Sequence, residues 1–111
     1  MPGVVGQLPT LRGHATLPTM VQVHLTRHLF AFFPHLDQRT IEVEATDVAG
    51  VVHALEVLAP GIGFYVCDER GRLRPHVNIF IGNDIIRDRR LLSDAVQSGD
   101  KVSILQALSG G

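Results

Sequence analysis

The chain reads as an α+β roll, a mixed sheet of four to five strands packed on one helix. Three stretches carry that prediction. Residues 21–26 and 40–45 alternate apolar and polar side chains with the period of half-buried strands. Residues 48–59 switch to the spacing of an amphipathic helix. A Ser98-Gly99-Asp100 turn then returns the chain into a last apolar run, Val102 to Leu105.

The first strand places Val21, Val23 and Leu25 on one face and Gln22, His24 and Thr26 on the other. An aromatic connection follows, with Phe30, Phe32, Phe33 and Pro34. The second strand sets Ile41, Val43 and Ala45 against Thr40, Glu42 and Glu44, close enough to pair with the first as a hairpin. Val48, Val51, Val52, Leu55, Leu58 and Ala59 form one helical stripe. Thr46 is the candidate N-cap, Asp47 suits the positive helix end, and Pro60-Gly61 stops the helix. Gly50 inside it costs about 1 kcal/mol against Ala, so packing rather than propensity must hold the helix.

Beyond the helix, Phe64–Val66 and His76–Ile81 are strand-like and flank the polar turn region 68–75. Gly82-Asn83-Asp84 is a turn signal before the apolar pair Ile85-Ile86. Leu91, Leu92, Ala95 and Val96 suggest one short helical turn. The order is hairpin, helix, further strands, last strand, which is an α+β arrangement with one helix on one sheet. Setting the last strand beside the first at the sheet's centre gives a β-grasp topology.

The chain's 111 residues amount to a single small domain. Hydrophobic residues at 45% and charged residues at 19% exclude a disordered chain. Ten Lys and Arg against 11 Asp and Glu leave a formal charge of -1, which argues against non-specific nucleic-acid or membrane-surface binding. No apolar run approaches the roughly 20 residues of a membrane helix. The single Cys67 excludes a disulfide framework and a multi-Cys metal site, so a reduced, cytoplasmic setting fits. Residues 1–19 differ from the rest. They hold three of the six Pro and three Gly, no acid and only Arg12, and they lack a secretory pattern. They read as a disordered arm before a folded unit at 20–111, with Met20 a plausible second start of translation.

Candidate chemistry is sparse. The six histidines (14, 24, 28, 35, 53 and 76) form no metal-binding motif and read as surface or partly buried residues. Nothing in the sequence activates Cys67, which reads as a small buried hydrophobe or an exposed strand-end thiol. Glu42 and Glu44 lie on a solvated strand face, and Asp37, Asp68, Asp84 and Asp100 fall where turns favour Asp. Arg70, Arg72 and Arg74, and Arg87, Arg89 and Arg90, read as solvated loop charges. The Phe30/Phe32/Phe33 cluster is mostly core, with room for one interface anchor.

The end of the chain is different. Leu108-Ser109-Gly110-Gly111 follows the last strand through a short spacer. Glycine has no Cβ, so such a backbone can thread a narrow channel and approach a nucleotide closely. Six residues beyond Leu105 reach at most about 20 Å when extended, enough to enter a partner's active site. A glycyl carboxylate also has no stereocentre to epimerise once activated. A frayed tail of small residues is the competing, inert reading.

With those residues assembled, the chain resembles the MoaD/ThiS family of ubiquitin-like sulfur carriers over roughly residues 20–111. The most specific part is HVNIFIGNDIIRD (76–88), continuing through LLSDAVQSGDKVSILQALSGG (91–111). The long hairpin insert FYVCDERGRLRPHVNIFI is more similar to carriers serving cysteine or natural-product sulfur transfer. The arm at 1–19 departs from the family pattern. The resemblance implies a protein that binds no cofactor and is a substrate rather than an enzyme. Its partner, an adenylyltransferase related to ubiquitin-activating enzymes, uses Mg-ATP to adenylate Gly111. A sulfur donor or sulfurtransferase then displaces AMP to leave a thiocarboxylate, which a sulfur-accepting biosynthetic enzyme consumes. Gly110, Ser109 and Leu108 carry over as tail-recognition positions, and the exposed sheet face and Phe-rich connection as docking candidates. Two other readings share the same residues: a ubiquitin-like modifier joined through Gly111 to target lysines, and a non-catalytic β-grasp binding module.

Overall fold

The computed structural model describes residues 17–30, 33, 36 and 41–106, with the side chains of residues 28 and 30 left aside. Most of the expected arm (1–16), the positions Phe32, Pro34, His35, Asp37 and Thr40, and the tail 107–111 lie outside the described residues. In chain order the elements are β1 (Met20–Leu25), α1 (Arg27–Phe30), β2 (Ile41–Glu44), α2 (Val48–Leu58), α3 (Ile62–Val66), β3 (Val77–Ile81), β4 (Asp84–Ile85) and β5 (Lys101–Gln106).

The alternation in β1 and β2 has the expected consequence. They pair antiparallel with Val21 opposite Val43 and Val23 opposite Ile41, all four turned inward and buried. The sheet order is β2-β1-β5-β3-β4. β5 lies parallel to β1, with Val23 opposite Val102, and antiparallel to β3, with Ile79 opposite Ile104. This is the β-grasp order, the last strand beside the first. Inward residues of β1, β2, β3 and β5 pack on Val48, Val51, Val52, Leu55 and Ala59 of the helical stripe, and all are buried. Leu58 belonged to the predicted stripe but is 48% exposed, because it lies on the stripe's edge in the helix's last turn.

The helix cap is Asp47 rather than Thr46. Asp47 is extended and its carboxylate accepts from Gly50 N–H at 2.7 Å. A Cβ at position 50 would lie 3.1 Å from that carboxylate oxygen and 3.2 Å from Ala45 Cβ, which accounts for a glycine in the first turn. Two more donors of that turn bond to a distant loop: Val48 N–H to Asp94 O and Ala49 N–H to Leu92 O. The helical turn expected around residues 91–96 is therefore absent. Leu92 has φ +55° and is buried, and its carbonyl and that of Asp94 turn away to serve α2. Asp88 holds this loop. Its carboxylate accepts from the N–H groups of Arg90 and Leu91 and from the N–H and hydroxyl of Ser93.

The strand expected at Phe64–Val66 is a helical turn, α3. Glu56 explains the difference. Its two carboxylate oxygens accept from Gly61 N–H at 2.9 Å and Gly63 N–H at 2.8 Å, and Gly61 adopts φ +103°. The chain leaving α2 is thereby turned so that Ile62 and Val66, four apart, face the core. Phe64 is left 66% exposed, and local β-propensity yields to tertiary contacts. The described residues also include the short α1, which sequence patterning missed and which buries Leu29.

Leu55→Ala should cost about 3 kcal/mol in denaturant unfolding, because Leu55 is fully buried. Val57→Ala, at a position 70% exposed, should cost under about 0.5 kcal/mol. Equal costs would mean the helix register is wrong. The N–H of Leu91 and hydroxyl of Ser93 hold the Asp88 carboxyl down to about 2. A depressed carboxyl stabilises the fold above its unfolded-state value and loses that contribution as pH falls through the folded value. Melting temperature should therefore fall between about pH 4 and pH 2, and Asp88→Asn should flatten that part of the acid limb. An unchanged acid limb would remove Asp88 from the account.

Candidate functional site

The positions expected to carry chemistry, Gly111 with Gly110, Ser109 and Leu108, lie outside the described residues. The structure supplies the base from which that tail departs. Gln106 ends β5, which has a strand on each side. On the β1 side, Thr26 clasps it: Gln106 N–H donates to Thr26 Oγ1 at 2.8 Å. The Thr26 hydroxyl donates to Ile104 O at 3.2 Å, and Thr26 N–H bonds to the same carbonyl at 3.1 Å. On the β3 side, Gln106 pairs with Val77 and Leu105 with Asn78.

β4 covers only Phe80 and Ile81, so the first half of β3 lacks a strand on its outer side. Arg89 fills that role. Its Nη2 donates to Arg74 O at 2.7 Å and Val77 O at 2.8 Å, and its Nη1 to Asn78 Oδ1 at 3.2 Å. Arg89 is thus a structural staple and not the solvated loop charge its sequence context suggests. Arg74 is likewise engaged, through Nε to Phe64 O at 2.6 Å. Neither Thr26 nor Arg89 had a local signal in the sequence, since the Thr26–Gln106 bond spans 80 positions. Gln106 Oε1 is buried without a donor among the described residues.

The sheet face away from α2 is open and divided. Gln22, His24, Glu42 and Glu44 make the half over β1 and β2 polar. Over β3, β4 and β5 stand Phe80 (half-buried), Ile85 (51% exposed) and Leu105 (44% exposed), with Phe80 directly opposite both Ile85 and Ser103. A groove of about 360 Å³ runs there, lined by Phe80, Gly82, Asn83, Lys101, Ser103 and Leu105. Gln106, the last described residue, therefore ends β5 beside an apolar, accessible patch. The Phe-rich connection contributes Phe33, which is buried and meets Tyr65 edge-on at 5.6 Å.

Among the described residues no group of three His, Cys, Asp or Glu side chains is placed to hold a metal ion. Cys67 is buried at the end of α3, and burial, with Asp68 beside it, pushes its thiol up. That is the behaviour of a packed hydrophobe and the reverse of an activated nucleophile. Asp68, in the 68–72 turn, accepts from Arg70 N–H and Arg72 N–H, a backbone role as expected.

The model of the ThiS family matches residues 23–111. The chain belongs to the ThiS family. Consistent with that membership, it is 31% identical over 81 residues to the sulfur carrier protein CysO of Mycobacterium tuberculosis, covering 70% of this chain and 87% of that one. The crystal structure of M. tuberculosis CysO superposes with a TM-score of 0.69 at 27% identity, over 79% of this chain and 99% of that chain. A CysO crystallised in complex with BexX from Amycolatopsis orientalis shares the fold at a TM-score of 0.70 and 22% identity, over 82% of this chain and 99% of the other. As a ThiS-family sulfur carrier the chain is a substrate of other proteins rather than an enzyme. No helix among the described residues is long and apolar enough to cross a membrane.

Thr26→Val keeps the shape of the side chain and removes its hydroxyl. It should cost about 1–2 kcal/mol and speed hydrogen exchange at the Gln106 amide. Unaltered protection of that amide would show that Thr26 does not secure the tail's base.

Proposed function

We propose that this carrier holds sulfur as a thiocarboxylate on Gly111. The observation that carries the reading is the pairing of a clamped strand end at Gln106 with a five-residue continuation ending in Gly110-Gly111. In the first step the Gly111 carboxylate attacks the α-phosphorus of Mg-ATP, bound by a ubiquitin-activating-like adenylyltransferase. Pyrophosphate leaves and an acyl-adenylate forms. Hydrosulfide then attacks the acyl carbon, AMP departs with the electron pair of the broken C–O bond, the thioacid proton passes to solvent, and a thiocarboxylate remains. The partner supplies nucleotide, metal and catalysis, and this chain supplies the reacting carboxyl group.

The geometry fits that division of labour. A short tail on a rigid base searches a small volume, which favours productive entry into an active-site channel. Gly110 and Gly111 let the backbone pass where any Cβ would collide, while Ser109 and Leu108 offer side chains for recognition. Phe80, Ile85 and Leu105, beside the tail's base, suit docking of the adenylyltransferase and later of the sulfur-accepting enzyme. The A. orientalis CysO–BexX complex supports the idea that a carrier of this shape docks on a partner.

Intact mass spectrometry tests the reading. Incubation with the adenylyltransferase, Mg-ATP and a sulfide donor should add the difference between sulfur and oxygen. Deleting Gly110-Gly111 should abolish the gain and leave the melting temperature unchanged. An unaltered mass under conditions where the same enzyme activates a second carrier would overturn it.

A further inference from the structure

Lys101 is the only lysine in the chain, and the other nine cationic side chains are arginine. Arginine stays protonated and does not act as an acyl acceptor, whereas a lysine amine does. Lys101 is exposed at the start of β5, on the open sheet face. It also lines the open-face groove along β5, where Ser103, opposite Phe80, and then Leu105 follow it on the same face. We propose, building on the thiocarboxylate reading, that Lys101 is an acylation site for the activated C-terminus of a second copy of this chain.

Groove and tail correspond in length and order. Lys101 and Leu105 are four strand residues apart, about 13 Å. Extended Leu108 to Gly111 spans about 10 Å, and the lysine side chain bridges the remainder. An incoming tail that sets Leu108 against Leu105 brings Ser109 and the two glycines past Phe80 and Ser103 to the Gly82-Asn83 turn, with the Gly111 carbonyl at the amine. The terminal carboxylate, before activation, is drawn to the one ammonium on that face.

The chain's own tail cannot make this contact. Residues 107–111 leave from Gln106 at the opposite end of β5, and a reversal takes about four residues. Too few remain to run back to Lys101, so the acceptor and the donor belong to different copies. In the reaction the Lys101 amine attacks the acyl carbon of the adenylate. The C–N bond forms, the C–O bond to AMP breaks, and the amine proton passes to solvent. One isopeptide bond and one AMP result, with no oxidation or reduction.

The full chain bearing a C-terminal alkyl thioester, made by intein thiolysis, tests this without any adenylyltransferase. Amide formation then releases the thiol in place of AMP. The expected product is a covalent dimer whose peptide map joins Gly111 to Lys101. Lys101→Arg should remove it. Lys101→Arg combined with Arg70→Lys moves the amine to the exposed 68–72 turn and should dimerise at least about tenfold more slowly than wild type. Equal rates from the relocated lysine, linkage only to the N-terminal amine, or no dimer from wild type would each overturn the proposal. Those results bear on Lys101 alone, because the mass gain with an adenylyltransferase reads thiocarboxylate formation separately.

Discussion

The parallel pairing of β1 with β5 is the constraint on which the rest of the molecule depends. It brings the first and last strands together at the centre of the sheet, with Val23 opposite Val102 and Leu25 opposite Ile104. Parallel neighbours cannot be joined by a tight turn, so everything between them must cross the sheet, and α2 does so over one face. That crossing buries one face and leaves the other open. It also means that the chain's last described residue, Gln106, leaves from an interior strand held on both sides instead of from a loose edge. The role proposed for Gly111 would need that property more than any pocket.

The elements built on side-chain period were legible in the sequence. The alternation of Val21 and Val23, the stripe from Val48 to Ala59 and the S-G-D turn before Val102 each correspond to observed structure, since burial on one face imposes the period. Where the reading failed, a side chain bonds the main chain of a segment with no pattern of its own. Glu56 converts an apolar, β-prone stretch into α3 by taking two amide hydrogens. Leu92 and Asp94 give their carbonyls to α2 and forgo a helical turn. Asp47 outcompetes the neighbouring Thr46 as the cap. Of the candidate site, the tail was legible as composition alone, whereas its base at Thr26 and Arg89 depends on contacts between distant parts of the chain.

The same bonds explain why so many acids yield so little chemistry. Asp47, Glu56, Asp68, Asp88, Asp94 and Asp100 all accept from backbone N–H groups, each closing a turn or a helix end. A small domain with a limited core gains definition from such caps, because each satisfies donors that would otherwise face water or nothing. At Glu56, Asp68 and Asp88 the hydrogen bonds favour the ionised form and lower the carboxyl. A carboxylate held ionised by amides is a poor proton shuttle near neutral pH. These acids are therefore committed to the fold through the backbone groups they bond.

The proposed activation of Gly111 would impose one further demand on the protein. An acyl-adenylate reacts with any accessible amine or thiolate, and copies of the carrier itself are always within reach. Cys67 meets that demand by burial, which keeps its thiol protonated and enclosed. The cationic surface would meet it by composition: the fork of Arg89 spans two carbonyls and the Asn78 side chain at once, a geometry that the compact lysine ammonium does not match. What remains is a single side-chain amine at Lys101, placed at the end of β5 farthest from the tail. The full length of β5 thus separates Lys101 from Gln106, the last described residue. The pairing that clamps the tail's base also keeps the two ends of that strand apart.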